Sequence, residues 1–438
     1  MIEYRNLKIA ILGGGTVGAN VASLLIEHGD ELAARVGAGL EVVGVAVRNP
    51  DAVRTPSVPA ELITTDAASI IPGADIVVEL IGGLEPARTL VLEALASGAD
   101  VVTANKALLA THGPELFAAA EQVGAQVYYE AAVAAAIPII RPLRESLAGD
   151  RVRRILGIVN GSTNFILDKM DTEGMSASDA QALALELGYL EADPTLDMEG
   201  FDAAQKAAIL ASLAFHTHVP LDAVYREGIS AITDEQVASA KAAGYVVKLL
   251  AIAERIDDPE TGREGVSARV HPALVPSTHP LAAVHGGNNA VFVEAEFAGS
   301  LMFYGAGAGG VQTASAVLGD IVSAARRHLA GGPGVAESSS ADLVVLPIDV
   351  ALTSYQITLE VVDRPGVLAE VAGLIAEHGV SIETASQTAG AAVDGEPTAS
   401  LVIVTHRAQD RALAATVAAL AASAAVRVVR GVVRVEGR

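Results

Sequence analysis

Three glycines near the start of the chain constrain its fold more than any other feature. An apolar run, Leu7–Leu12, leads straight into Gly13-Gly14-Gly15-Thr16-Val17-Gly18, and a helical pattern succeeds it over Ala19–Glu27. G-x-G-x-x-G between a strand and a helix has a physical reading. Gly13 permits the tight turn, Gly15 lets a pyrophosphate approach the backbone, and Gly18 allows close helix–strand packing. The phosphate then sits at the helix N-terminus, and Thr16 and Val17 are expected to bind the cofactor together with the three glycines. A glycine-rich turn without a ligand is the plain alternative, and the strand–turn–helix setting argues against it.

Beyond this turn the alternation of strand and helix continues. Apolar runs at Glu41–Val47, Asp75–Leu80, Asp100–Thr103 and Gln126–Glu130 alternate with helix-length segments, and Asn49-Pro50 and Pro72-Gly73 mark turns. This predicts a parallel α/β sheet, in which ligands gather outside the carboxyl ends of the strands. Val47 is followed there by Arg48, with no acid until Asp51. An acid would suit the ribose hydroxyl of NAD. A guanidinium suits the 2′-phosphate of NADP, although a solvated arginine with dual cofactor use is the other reading. Thr103-Ala104-Asn105-Lys106 puts Lys106 on the nicotinamide side by the same rule, though position alone equally suits a surface lysine at a helix start.

From Arg151 the character becomes α+β. Val152–Val159 and Glu264–His271 read as strands, Ala177–Leu187 and Phe201–Phe215 as helices. Between those helices, Glu191, Asp193, Asp197, Glu199 and Asp202 crowd five carboxylates into twelve residues. Asp202 and Lys206 lie at i and i+4 on one helix face. Two readings stay open here. One is a surface ion pair beside an acidic loop. The other is carboxylates gripping a substrate ammonium while a lysine exchanges a proton with its oxygen. Gly305–Gly310 reads either as a turn whose backbone approaches a ligand or as a simple loop–helix junction. His216-x-His218, His271, His279 and His285 lack cysteine or ordered carboxylate company and are read as structural.

Ala330–Ala341, rich in Gly, Ser and Pro, reads as a linker. The order beyond it is strand Tyr355–Val362, helix Val367–Glu377, strand Val380–Gln387, strand Thr398–Thr405, helix Ala408–Leu420 and strand Val426–Val435. That is the βαββαβ ferredoxin-like unit.

Composition narrows the partners. The 438 residues suggest about three domains at roughly 150 each, and 29 bases against 52 acids leave a net charge of −23. Nucleic acid and anionic membrane are therefore not expected as partners. Absent cysteine excludes disulfides, thiolate metal sites and cysteine nucleophiles. The longest apolar stretch, Ala412–Val426, is bounded by Arg411 and Arg427 and falls short of the roughly 20 residues of a membrane span. The N-terminus lacks a signal-peptide layout, so a cytoplasmic location is expected.

Taken together the motifs resemble the homoserine dehydrogenase family over nearly the whole chain. The resemblance is carried by Glu191-Ala-Asp193-Pro through Asp202 to Lys206, by Asn160-Gly161-Ser162-Thr163-Asn164-Phe165-Ile166-Leu167, and by Gly305–Gly309 with Thr313–Val317. It implies NAD(P)-dependent interconversion of L-aspartate 4-semialdehyde and L-homoserine, in threonine and methionine biosynthesis. Lys206 then matches the proton donor to the aldehyde oxygen, and Lys106 a second lysine near nicotinamide and substrate. Glu191 and Asp202 match carboxylates that hold homoserine. Gly188 and Gly309 match backbone positions beside the cofactor, and Thr103 one near the nicotinamide ribose. Glu130 with the carbonyls of Val133, Ala135 and Ile137 resembles a loop for a monovalent cation, Na+.

The C-terminal unit resembles an ACT domain through Asp363-Arg364-Pro365-Gly366-Val367-Leu368, where Gly366 leaves room for an amino-acid effector. The implied effector is threonine, and oligomerisation alone is the alternative role. The expected architecture has three parts. A Rossmann-type dinucleotide-binding domain takes 1–148 plus about 305–329, and an α+β catalytic and dimerisation domain takes 149–304. A linker, 330–350, leads to an ACT domain, 351–438, and the assembly is expected to be a homodimer or homotetramer. A sensor joining a dinucleotide domain to an ACT module is the rival class, but it leaves Glu191–Lys206 without a task.

Overall fold

A computed structural model describes residues 6–332, 334–337, 340–390 and 396–437. The opening residues Met1–Arg5 and three linker positions, Pro333, Ser338 and Ser339, lie outside the described residues. The chain groups into two compact units: 1–161, 205–222 and 287–342 form the first, and 162–204, 223–286 and 343–438 the second.

In the first unit, β1 (Leu7–Leu12), β2 (Leu40–Ala46), β3 (Ile63–Thr64), β4 (Ile76–Glu79), β5 (Asp100–Thr103) and β6 (Val127–Tyr128) form a parallel sheet ordered β3-β2-β1-β4-β5-β6. β4 and β5 are buried along their whole length, as a sheet covered by helices on both faces requires. Strand order reverses between β1 and β4, which opens the ligand crevice of a Rossmann-type dinucleotide-binding fold. The helix Gly310–Ala330 returns to this layer. Its Ala314, Val317, Ile321, Ala324 and Ala325 share a core with Ile9, Ile11 and Val21, the stripe an amphipathic helix presents. A second, antiparallel layer pairs β7 (Val152–Ile158) with Asn288–Ala295, and that strand with Gly299–Ala306.

The second unit is built on a ladder of Tyr245–Asp257 against Glu264–Pro276, in register from Tyr245↔Pro276 to Asp257↔Glu264. The expected strand Glu264–His271 thus continues to Pro276. Its C-terminal module has the order Val426–Val435, Leu352–Val362, Thr398–Thr405, Ile382–Ala389. Helices Val367–Glu377 and Asp410–Ala422 cover it through Val371, Ile375, Leu413 and Leu420. This is the βαββαβ ferredoxin-like arrangement expected from the sequence. No helix among the described residues is long and apolar enough to cross a membrane.

Candidate active site

The glycine turn opens onto a cleft of about 820 Å³ lined by Gly13, Gly15, Thr16, Arg48 and Arg54, among others. Gly13 and Gly18 each have a separate steric reason. Gly13 has φ +108°, and a Cβ there would lie 2.6 Å from the Leu80 carbonyl. A Cβ on Gly18 would lie 1.9 Å from the Gly13 carbonyl, so only glycine lets the helix sit this close to its turn. At Gly15 a Cβ would meet nothing within 4 Å, and the backbone there lies open to the cleft. The helix begins at Thr16 inside the motif, three residues earlier than the sequence pattern suggested, with no acidic residue in its first turn. Its N-terminus therefore points toward the cleft without a competing carboxylate. Val17 is half-buried and packs on the core beneath.

Two guanidinium groups flank this cradle. Arg48 is exposed at the cleft, as expected after the second strand. Arg54 went unnoticed in the sequence. It folds the 49–54 loop by donating from Nη1 to the carbonyls of Ala52 at 2.7 Å and Pro50 at 3.1 Å, and from Nη2 to that of Asn49. Its Nε is buried and has no hydrogen-bond partner among the described residues. A buried donor of this kind calls for an acceptor, and an anionic dinucleotide supplies one. The residues present fit that cofactor.

The carboxyl ends of β4 and β5 are organised by Glu79, a second residue that sequence reading missed. Its buried carboxylate accepts from the amides of Ile81 at 2.8 Å and Gly82 at 3.1 Å, and from the Thr103 hydroxyl at 2.6 Å. The Thr103 hydroxyl in turn accepts from the Asn105 amide at 3.0 Å. Thr103 is fully buried, so its side chain sets the strand end rather than facing solvent. Asn105 caps the helix Lys106–Val123 by accepting from the Leu108 amide at 3.1 Å. Lys106 is the first residue of that helix and is half-buried.

Lys206 is half-buried on the helix Phe201–Phe215, and its Nζ donates to the Val159 carbonyl at 2.7 Å, just beyond β7. The ammonium is thereby aimed at the start of the Asn160–Leu167 segment. Gly161 belongs there for a steric reason: a Cβ would lie 2.6 Å from the Gly287 carbonyl, and a Cβ at Gly307 would meet the same oxygen at 2.6 Å. Gly309 caps the Gly310–Ala330 helix at φ +129°, and a Cβ on Gly310 would meet Thr16 Cγ2 at 2.6 Å. The late glycine run thus packs on the start of the cofactor helix.

In the second unit, Gly188 adopts φ +77° just after the helix Ala177–Glu186, and Glu191 is exposed. Asp193 is tied to its own turn by the Thr195 amide and hydroxyl. Asp202 is buried on the first turn of the lysine-bearing helix, one turn before Lys206.

The loop resembling a cation site has its one left-handed residue at Ala135, φ +52°, a conformation costing about 1–3 kcal/mol for a non-glycine. The Glu130 carboxylate accepts from the amides of Ile139, Ile140 and Arg141 and from Arg141 Nε. Any share Glu130 takes in holding a cation therefore falls to its main-chain carbonyl, alongside those of Val133, Ala135 and Ile137. The Glu130 amide donates to Asp320 at 2.8 Å. Burial, and after it the nearby Glu130 charge, pushes the Asp320 carboxyl up to about 7, against the pull of Arg141. Among the described residues no group of three or more His, Asp or Glu side chains could hold a metal ion.

Family models match the chain in three stretches. They are homoserine dehydrogenase, NAD binding domain, over 13–130; homoserine dehydrogenase over 138–322; and ACT domain over 355–424. The homoserine dehydrogenase of Corynebacterium glutamicum is 52% identical over 98% of this chain and 95% of that protein. That of Mycobacterium tuberculosis is 52% identical over 99% of each. The crystal structure of a homoserine dehydrogenase from Thiobacillus denitrificans superposes with a TM-score of 0.91 at 40% identity, covering 99% of this chain and 98% of that one. A hyperthermophilic archaeal homoserine dehydrogenase in complex with NADPH gives a TM-score of 0.61 at 29% identity, over 75% of this chain and 99% of that one.

Proposed function

The chain belongs to the homoserine dehydrogenase family, and on that premise we propose that it reduces L-aspartate 4-semialdehyde to L-homoserine with NADPH as preferred reductant. The cofactor cleft carries this reading, because its open Gly15 cradle is flanked by Arg48 and by the unpartnered Nε of Arg54. Bound NADPH supplies hydride to the aldehyde carbon. The chain's own residues do the rest. Glu191 and Asp202 hold the substrate ammonium. Lys206 stabilises the negative charge that develops on the aldehyde oxygen and delivers a proton to it, with Lys106 as a second cation beside nicotinamide and substrate. Gly13, Gly15, Gly18, Thr16 and Val17 seat the pyrophosphate, and Thr103, Gly188 and Gly309 border the cofactor. Na+ would be held by the carbonyls of the Glu130–Ile137 loop and would steady that loop.

The dinucleotide domain takes 1–148 with 305–329, and the substrate domain 149–304. The linker, 330–350, joins them to the ACT domain, 351–438, which binds threonine as a regulatory effector. The enzyme is cytoplasmic and works as a homodimer, or as a homotetramer through paired ACT units. Cofactor oxidation with aspartate 4-semialdehyde, with and without threonine, tests these assignments together. No turnover favours a non-catalytic sensor. Turnover indifferent to threonine keeps the enzyme and removes the regulation.

A further inference from the structure

The second unit holds a cavity of about 590 Å³ that the proposed reaction does not use. One wall belongs to the C-terminal module: Tyr355, Ala414, Val417, Val432 and Arg434. Facing it are Glu199, Glu227, Ser230 and Ile232.

An ion pair crosses this cavity with its two ends held unequally. Arg434 is 8% exposed, and its Nε donates to Asp410 Oδ1 at 2.8 Å, as does the Tyr355 hydroxyl at 2.8 Å. Its Nη1 donates to Glu227 at 2.8 Å, but the Glu227 side chain is 42% exposed. The guanidinium is fixed within its own module while its second carboxylate partner is accessible. Burial pushes the Glu227 carboxyl up, and Arg434 with the Tyr225 hydroxyl outweighs it, holding the group below its ordinary value.

Glu227 belongs to a segment pressed onto the acidic signature. The Ile229 amide donates to the Met198 carbonyl at 2.8 Å, the Ser230 hydroxyl to Glu199 at 2.6 Å, and Arg226 to the Glu199 carbonyl. A Cβ on Gly228 would lie 2.1 Å from the Met198 carbonyl, so the two stretches pack backbone against backbone. Glu199 stands three residues before Asp202.

Resting on the reading of the ACT domain as regulatory, we propose that this cavity binds a small amino acid as a zwitterion. Its carboxylate pairs with Arg434, and its ammonium pairs with Glu227 and Glu199. A zwitterion inserted between Arg434 and Glu227 gives each of them a new partner of opposite charge, whereas a simple anion or cation strands one of them. Two lining carboxylates, Glu199 and Glu227, stand against the one lining guanidinium, Arg434, which favours a ligand that also carries an ammonium. Ala414, Val417, Val432 and Ile232 suit a short, uncharged side chain. Occupancy draws Glu227 away from Arg434, and with it the hydrogen bonds on Met198 and Glu199. The cavity lies at the opposite end of the Leu352–Val362 strand from the Asp363–Leu368 turn, about 25 Å away at 3.3 Å per residue.

Calorimetric titration of the full chain with L-threonine, L-valine and L-alanine tests this, with turnover measured in parallel. At least one of them is expected to bind. Ala414→Phe, which fills the cavity from an exposed helix position, and Glu227→Gln should each weaken that binding about tenfold or more. Asp363→Ala should not, and Ala414→Phe should keep basal turnover. Binding that survives both cavity variants and is lost in Asp363→Ala overturns the site and leaves threonine regulation intact. Binding of valine or alanine but not threonine, lost in Ala414→Phe, supports the site and removes threonine as effector. If none of the three binds, the site is overturned.

Discussion

Replacing Lys206 by methionine keeps the length of the side chain and removes the ammonium that donates to the Val159 carbonyl. Turnover should fall about 100-fold or more, the scale of general acid catalysis, while NADPH binding measured by fluorescence stays unchanged. Near-normal turnover would reject the assignment. At the cofactor cleft, Arg48→Asp should lower kcat/KM with NADPH about tenfold or more relative to NADH, since a charge-assisted hydrogen bond is worth about 1.5–3 kcal/mol. An unchanged NADPH/NADH ratio would show that Arg48 reads no phosphate. Asp320 makes a pH prediction. The unfolded chain releases this proton near pH 4, but the folded chain keeps it up to about 7. The stability it contributes is therefore present in acid and lost as pH rises between those values. Asp320→Asn should gain on the parent by about 1.4 kcal/mol per pH unit across that interval and level off above it. Denaturant unfolding on both sides of neutrality checks this, and a constant difference would sink it. At this scale the sequence was legible where placement follows local spacing, as for Gly13, Gly15 and Gly18 at the turn and Arg48 at the cleft. It was silent on Arg54 and Glu79, because one acts through a loop folding back on itself and the other through a hydroxyl 24 residues away.

The elements repeat the lesson with different physics. The strands Asp100–Thr103, Thr398–Thr405 and Val426–Val435 and the helices Phe201–Phe215 and Val367–Glu377 were readable to the residue, because their periodicity and flanking turns agree. Tyr245–Asp257 was not. Its Lys248-Leu-Leu-Ala-Ile-Ala-Glu254 core is made of good helix formers, and only antiparallel pairing with Glu264–Pro276 makes it a strand. The turn-to-helix junction of the cofactor site offers the test at this scale. Gly18→Ala forces a Cβ to within 1.9 Å of the Gly13 carbonyl, so the helix must lift from β1. A loss of about 1–3 kcal/mol is expected, together with a raised KM for NADPH. An unaltered KM would show that the helix start does not set the phosphate site.

Over the whole molecule, a surface carrying −23 must still admit an anionic cofactor, which makes Arg48, Arg54 and the Thr16 helix start a local exception. The segment read as a linker, Ala330–Ala341, is bonded along its length to the first unit. The Val335 amide donates to Gln126 at 3.1 Å and the Ala341 amide to the His216 carbonyl at 2.9 Å. Between them the Glu337 carboxylate accepts from Tyr129 at 2.5 Å and Arg144 at 2.6 Å. Composition reports only that such a stretch lacks a core of its own; it cannot report a surface elsewhere that binds it. Glu337→Ala leaves Arg144, 8% exposed, without its carboxylate, and should cost about 3–5 kcal/mol in denaturant unfolding. A change under about 1 kcal/mol would return the segment to the status of a tether. The strap also bears on how such enzymes diversify. An ACT module hung on free chain can be traded between proteins as a cassette. One whose lead-in is bonded to Gln126, Tyr129 and Arg144 can be grafted onto another dehydrogenase only if that receiving surface travels with it.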